Sequence, residues 1–213
     1  MSDCRGKLLS GLQELALPAD AGQIEALLHF LELMEKWNRV YNLTAIRDRQ
    51  AMLSLHLLDS LAVLPHLQGP GIIDVGTGAG LPGIPLAICA PHMSFQLLDS
   101  NAKKTRFVQQ VILELKLQNV TVCHQRVEEF RPEKKYQSII TRAFASLPDM
   151  LALTRHLLAE QGILLAMKGR LPEQECSGID AQVDVIPLRV PGVDAERCLI
   201  RVSAQALHRL TQH

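Results

Sequence analysis

The tract Ile72-Ile73-Asp74-Val75-Gly76-Thr77-Gly78-Ala79-Gly80-Leu81-Pro82-Gly83 limits what this chain can fold into more than any other stretch. Apolar β-branched residues lead into an acid, glycines then recur at every second position, and an apolar segment follows. That order predicts a buried strand, a tight turn and the start of a helix. Glycine has no Cβ, so such a turn tolerates positive φ and lets the backbone lie against a ligand. A helix start offers unpaired N–H groups and the positive end of a dipole. A polar, nucleoside-sized cofactor is the natural occupant.

The turn alone leaves three readings open. Gly78, Gly80 and Gly83 satisfy G-x-G-x-x-G, and Asp99 follows at the distance expected of a ribose-binding acid, which is the dinucleotide fingerprint. Asp74 with Gly76, Gly78 and Gly80 equally fits an S-adenosylmethionine (SAM) turn, in which an acid precedes G-x-G-x-G. The third reading is a glycine-rich turn with no ligand.

The remainder of the chain separates these readings. Residues 1–66 have helical periodicity: Ile24, Leu27, Leu28, Leu31, Met34 and Trp37 form one apolar face, and Asp20 with Gln23 makes a capping box in front of it. A further helix is predicted from near Asp48 to Leu64, and Gln68-Gly69-Pro70-Gly71 marks the boundary with a second module, residues 67–213. There, strands (Gly71–Val75, Met93–Leu98, Val120–His124, Tyr136–Thr141, Gly162–Lys168) alternate with helices (Leu81–Ala90, Asn101–Leu117, Leu147–Leu158). Such alternation predicts a doubly wound α/β sheet with helices on both faces. Val183–Val190 and Arg197–Val202, joined by a short loop through Pro191-Gly192, predict an antiparallel C-terminal hairpin. The SAM-dependent version of the fold closes with such a hairpin, whereas the NAD version stays parallel. Too few residues follow the fourth strand to build a dehydrogenase's substrate domain. SAM is therefore favoured over an NAD-linked oxidoreductase.

Bulk properties exclude several other classes. The net charge is zero, so no global basic field draws in nucleic acid, and any RNA contact must come from local patches. The five cysteines are odd in number and contain no C-x-x-C pair, which argues against a zinc knuckle or a disulfide framework and for a reducing cytoplasm. Neither a secretory leader nor a membrane-spanning stretch is evident, and no metal is expected.

Candidate site residues follow from position in the fold. Asp99, at the end of the second strand, can accept both ribose hydroxyls, or else cap the helix after it. Val127-Glu128-Glu129, after the third strand, lies where an adenine ring would sit. The segment Thr141-Arg142-Ala143-Phe144-Ala145-Ser146-Leu147, after the fourth strand, should face the methyl group. The chain has neither an Asn/Asp-Pro-Pro-Tyr/Phe tetrapeptide, which orients an exocyclic amine, nor a Pro-Cys pair, which attacks a pyrimidine ring. What remains is transfer to an atom with a free lone pair, such as guanine N7, by in-line positioning. Arg142 is a candidate to hold guanine O6, a phosphate or the cofactor. Arg47, Arg49, Lys103, Lys104, Arg106, Lys168 and Arg170 are candidate RNA contacts, with a solvated charged surface as the alternative. His56 and Asp59 are expected to form a structural pair docking the helical module onto the cleft. Trp37 is expected in the core, with base stacking by Trp37 and Tyr41 as the alternative.

Taken together, Lys36-Trp37-Asn38 through Tyr41-Asn42-Leu43-Thr44, His56-Leu57-Leu58-Asp59-Ser60, Asp74 to Pro85, Leu97-Leu98-Asp99-Ser100, Arg126-Val127-Glu128-Glu129 and Arg142 to Leu147 resemble the bacterial 16S ribosomal RNA guanine-N7 methyltransferase family, also called glucose-inhibited division protein B. The resemblance spans roughly residues 36 to 168 and carries little of either end. It implies a Rossmann-like class I SAM-dependent methyltransferase with a helical N-terminal extension. It also implies N7 methylation of a guanine in 16S rRNA, with the small ribosomal subunit or its precursor as partner. It assigns cofactor contacts to Gly76, Leu81, Val127, Glu128 and Arg142; Asp74, Asp99, Gly78 and Gly80 rest on the fold argument. A non-catalytic SAM- or RNA-binding module is the remaining alternative.

Overall fold

The computed structural model describes residues 2–142, 145–170 and 183–209. Helices α1 (Ser2–Glu14) and α2 (Ala21–Tyr41) open the chain. The capping box forms as expected: Asp20 accepts from the Gln23 N–H at 2.8 Å, and Gln23 accepts from the Asp20 N–H at 2.9 Å. Asn42, with φ of 48°, ends α2 in the left-handed region.

The expected helix from Asp48 to Leu64 is present but not regular. It runs as α3 (Arg49–Met52), a π-helical segment (Leu53–Leu58) and α4 (Asp59–Leu61), followed by a 3₁₀ turn at Leu64–His66. Periodicity alone could not reveal the extra residue in the π turn. Such segments recur at functional sites because they re-aim side chains within a helix.

The sheet alternates with helices in the order β1 (Gly71–Val75), α5 (Gly83–Cys89), β2 (Ser94–Asp99), α6 (Ala102–Glu114), β3 (Val120–His124), β4 (Tyr136–Arg142), α7 (Leu147–Thr154), β5 (Leu158–Lys168), β6 (Val183–Pro187), β7 (Cys198–Ser203) and α8 (Ala204–Arg209). Among the described residues the sheet has seven strands in the order β3-β2-β1-β4-β5-β7-β6. The first five pair in parallel, and β7 is antiparallel to both β5 and β6. The hairpin ending therefore stands, with β7 inserted between β5 and β6. The predicted helix Leu81–Ala90 begins only at Gly83, because Leu81 and Pro82 complete the turn before it.

Each sheet face carries a core. One cluster joins Leu27, Phe30, Leu31 and Met34 of α2 to Ile72, Ile84, Phe107, Ile140 and Leu165, so the N-terminal helices and the sheet share apolar burial. The other packs Ile73, Val75, Ile139 and Leu164 against Leu147, Met150 and Leu151 of α7. Trp37 is half-buried against the first cluster, stacked on Tyr41 at 5.1 Å and tilted against Phe107 at 5.5 Å. Strand order reverses between β1 and β4, and the cleft at such a switch point, outside the carboxyl ends of the strands, is where ligands bind.

Candidate functional site

The glycine turn follows β1. Gly76, Gly78 and Gly80 have φ of 71°, 59° and 79°, a region that side-chain-bearing residues avoid. The turn differs from expectation in one respect. Most of its N–H groups are not offered to a ligand but bonded within the protein. Those of Gly76 and Thr77 donate to the Leu98 carbonyl at 2.8 and 3.1 Å, Gly78 donates to Asp99 Oδ2 at 2.8 Å, and Gly80 and Leu81 donate to the Thr77 carbonyl. Gly83 N–H donates to Asp74 Oδ2 at 2.9 Å, and Thr77 Oγ1–H donates to the same oxygen at 2.7 Å. Such a turn supplies shape and, at its mouth, the Asp99 carboxylate rather than a nest of free donors. That disfavours a pyrophosphate and suits a ligand that presents ribose hydroxyls and a cationic sulfonium.

Asp74 is fully buried beneath the turn, and its Oδ1 has no hydrogen-bond partner. Burial pushes its carboxyl up to about 6; the Thr77 and Gly83 bonds and the charge of Arg142 oppose this, while Asp99 adds to it. Asp99 stands at the mouth. Its Oδ1 accepts from the Asn101 N–H at 2.8 Å, and each carboxylate oxygen keeps a lone pair for a further donor. The cap of α6 is Asn101, whose side chain accepts from Lys103 and Lys104, so Asp99 is released from capping.

A cavity of about 240 Å³ lies beside this turn, lined by Val75, Gly76, Asp99, Lys104, Val127 and Glu128. Gly76, Asp99, Val127 and Glu128 are thus brought together from the ends of three strands, while Leu81 is buried under the turn. A Cβ on Gly78 would meet nothing closer than Lys104 Nζ at 3.8 Å, so its missing side chain leaves space on the cavity side. Lys104, proposed from sequence as an RNA contact, lines this cavity, whereas Lys103 and Arg106 are exposed. The cradle, the paired carboxylates and the unpartnered Asp74 Oδ1 fit SAM.

A second cavity, about 560 Å³, opens at the ends of β4 and β5 and the start of β7. Its lining includes Ile46, His56, Asp59, Arg142, Lys168 and Arg197. Arg142 Nη1 donates to the Leu55 carbonyl at 3.1 Å and to Asp59 Oδ2 at 3.3 Å, and Arg197 Nε donates to Asp59 Oδ1 at 3.1 Å. The expected His56–Asp59 pair is thus replaced. The wider π turn rotates the two residues apart, so Asp59 meets the arginines while His56 meets Thr44. His56 Nδ1 lies 3.1 Å from the Leu55 carbonyl and Nε2 lies 2.9 Å from Thr44 Oγ1. The carbonyl can only accept, so Nδ1 carries the proton and Nε2 accepts from Thr44. Burial, reinforced by Arg142, pushes His56 down to about 4, so it is neutral near pH 7. Asn38 holds the loop that makes this contact: its Oδ1 accepts from the Thr44 N–H at 2.9 Å and its Nδ2 donates to the Ile46 carbonyl at 3.4 Å.

The remaining candidates are dispersed. Arg47 is exposed next to Ile46, Lys168 lines the second cavity and donates to the Ala145 carbonyl, and Arg170 is exposed. Arg49 is occupied by Glu32 and Glu35. Ala143 and Phe144, from the segment expected to face the methyl group, lie outside the described residues. Sequence reasoning passed over Arg197 and Thr44. Arg197 stands at the head of an apolar strand, where a charge is out of pattern, and that was the available signal. A larger depression, about 1320 Å³, lies at the opposite sheet edge among strand starts such as Gly71, Ser94 and Tyr136, where helices end rather than begin.

The model of the family described as rRNA small subunit methyltransferase G (GidB) matches residues 23–199. The chain belongs to this family. A relative from Laribacter hongkongensis (strain HLHK9), ribosomal RNA small subunit methyltransferase G, is 51% identical over 92% of this chain and 96% of its own length. A protein of the same name from Chromobacterium violaceum is 49% identical over 93% of this chain and 97% of its own. Among solved structures, a SAM dependent methyltransferase from Aquifex aeolicus shares the fold, with a TM-score of 0.55 and 17% identity over 72% of this chain and 93% of that one. This member of the family thus has the class I methyltransferase fold, and its cofactor is SAM. Among the described residues no helix is long and apolar enough to cross a membrane, and no cluster of His, Cys, Asp or Glu has the makings of a metal site.

Proposed function

We propose that this chain transfers a methyl group from SAM to N7 of a guanine in 16S rRNA, within the small ribosomal subunit or its precursor, in the cytoplasm. The observation that carries the reading is the pairing at one sheet edge of an acid-bracketed glycine turn with a cavity whose titratable groups are all engaged. His56 has both ring nitrogens hydrogen-bonded, and Asp59 is held by two guanidinia. No free general base therefore faces the cavity among these residues. An exocyclic amine would need one; N7, with an in-plane lone pair, does not.

In this reading Gly76, Gly78 and Gly80 shape the cofactor floor, with Leu81 supporting it from below. Asp74 faces the turn from beneath, Asp99 takes the ribose hydroxyls, and Val127 and Glu128 flank the adenine. Arg142 stands between cofactor and acceptor. SAM bound there supplies an electrophilic methyl on sulfur. The protein's part is to hold donor and acceptor in line and to exclude water. Arg47, Lys103, Arg106, Lys168 and Arg170 are the candidate phosphate contacts. Residues 1–66 form the helical extension that completes the acceptor wall, and residues 67–213 the methyltransferase domain. An exposed base in a folded particle suits recognition by local shape and extrusion, which a chain of zero net charge can perform.

The test is a labelled-methyl assay with SAM on small subunits from a strain lacking this protein, beside naked 16S rRNA. Label in 7-methylguanosine is expected, and label at any other atom overturns the proposed chemistry. Titration calorimetry should give heat with SAM; heat with NAD and none with SAM would reinstate the oxidoreductase reading.

A further inference from the structure

Asp59 occupies an unusual position for an acid. It is 5% exposed, stands where the π-helical segment gives way to α4, and receives one guanidinium on each oxygen. Arg142 comes from the end of β4 and Arg197 from just before β7, so one carboxylate of the helical extension ties two strands of the sheet together. The π turn also directs the Leu55 carbonyl onto Arg142 Nη1, giving that guanidinium a second acceptor. The bonds named use Nη1 of Arg142 and, with the Glu196 carbonyl, Nε and Nη1 of Arg197. Each guanidinium carries five N–H donors, so both retain donors for a ligand in the cavity they line.

Guanine presents N7 and O6 together as acceptors, and arginine normally grips both. For N7 to react, its lone pair must stay free, so an arginine here must be held at an angle that reaches O6 or phosphate but not N7. Charge imposes a second demand. As the N7–CH₃ bond forms and the CH₃–S bond breaks, the pair of electrons goes to sulfur, which becomes neutral, and the guanine ring takes on the positive charge. Two uncompensated guanidinia beside that ring would oppose the transfer.

We propose that Asp59 is a positioning and charge-balancing residue for methyl transfer, acting through Arg142 and Arg197. This rests on the guanine-N7 reading above. Asp59 fixes both guanidinia against the cavity wall and leaves the trio with a single net positive charge. It touches neither substrate nor cofactor itself.

The experiment compares wild type, D59N, D59E, R197Q and the double variant D59N/R197Q. Each is assayed for kcat on unmethylated small subunits, for SAM affinity by calorimetry, and for stability by urea unfolding. D59N is expected to lower kcat roughly tenfold or more while SAM affinity changes by less than about threefold. D59E, which keeps the charge, should recover part of the loss. The double variant should be less impaired than the product of the two single effects, because removing Arg197 removes the excess charge that Asp59 offsets. Wild-type kcat in D59N overturns the proposal, as do multiplying single effects or a loss of kcat, SAM binding and stability in parallel. If D59N does not fold, R197Q decides: reduced kcat with retained SAM affinity supports the proposal, and unchanged kcat sinks it. A wild-type protein that labels no guanine N7 would instead refute the function itself.

Discussion

The two walls of the cleft are built in opposite ways. The proposed cofactor wall draws on the turn that follows β1, with Asp99 at the end of β2 and Val127 and Glu128 in the turn after β3. Its hydrogen bonds are almost all backbone or short-range, such as Thr77 and Gly83 to Asp74. The acceptor wall is assembled from Ile46, Leu55, His56, Asp59, Arg142, Lys168 and Arg197, and its key contacts join residues far apart in the chain. The first wall is a local backbone solution that demands particular residue types at fixed spacing. The second is a side-chain network that exists only once the helical extension has packed on the sheet. Damage to the first should therefore show in the turn and in SAM affinity. Damage to the second should show in turnover.

The largest effect is expected at Gly80. Gly80→Val puts a β-branched residue at φ of 79° and its Cβ 2.6 Å from Ile84 Cγ1, so unfolding should lose about 3–5 kcal/mol and SAM binding should disappear. Urea unfolding with near-native stability would show that the turn does not need its glycines.

Asp74 and His56, buried one beside each cavity, should respond to pH with opposite sign. Asp74 is pushed up to about 6, so the folded state holds its proton more tightly than the unfolded chain. Its contribution is fully present below about pH 4 and is lost as pH rises through about 6, a swing of about 2–3 kcal/mol. His56 is pushed down to about 4, so its contribution is present above about pH 6.5 and is lost as pH falls through about 4. The two contributions oppose each other between about pH 4 and 6.5, so relative to wild type the stability of Asp74→Asn should rise towards neutrality, and that of His56→Gln should fall towards it. Identical profiles in all three proteins would refute both assignments.

Asp99→Ala removes the acceptor for the Gly78 and Asn101 N–H groups and the proposed ribose contact. SAM affinity should weaken by about 1.5–3 kcal/mol, with kcat at saturating SAM reduced far less. Unchanged affinity would leave Asp99 as a buttress of the turn alone. The smallest effect is expected for Lys104→Met, about 0.5–1 kcal/mol in SAM affinity, because the ammonium is partly exposed and screened. Loss of RNA binding without change in SAM affinity would return Lys104 to the RNA surface.

Much of the fold was legible before any coordinates. Alternating strands and helices, the capping box at Asp20 and the antiparallel ending each rest on local pattern, and each is present. The late start of α5 at Gly83 and the π turn at Leu53–Leu58 were not legible. Both depend on which backbone groups find partners, and those partners lie on Asp74 and on Arg142. The direction of Lys104 was not legible either. Its charge is visible in the sequence, but its direction, towards Gly78, follows from how α6 packs on the sheet.

The glycine turn after β1 can be read from the chain alone, because three closely spaced positive φ angles strongly favour glycine at positions 76, 78 and 80. The network around Asp59 cannot, because it forms only once the helical extension packs on the sheet. A buried carboxylate is stable there when two guanidinia reach it, and no spacing within the chain records that Asp59, Arg142 and Arg197 will meet.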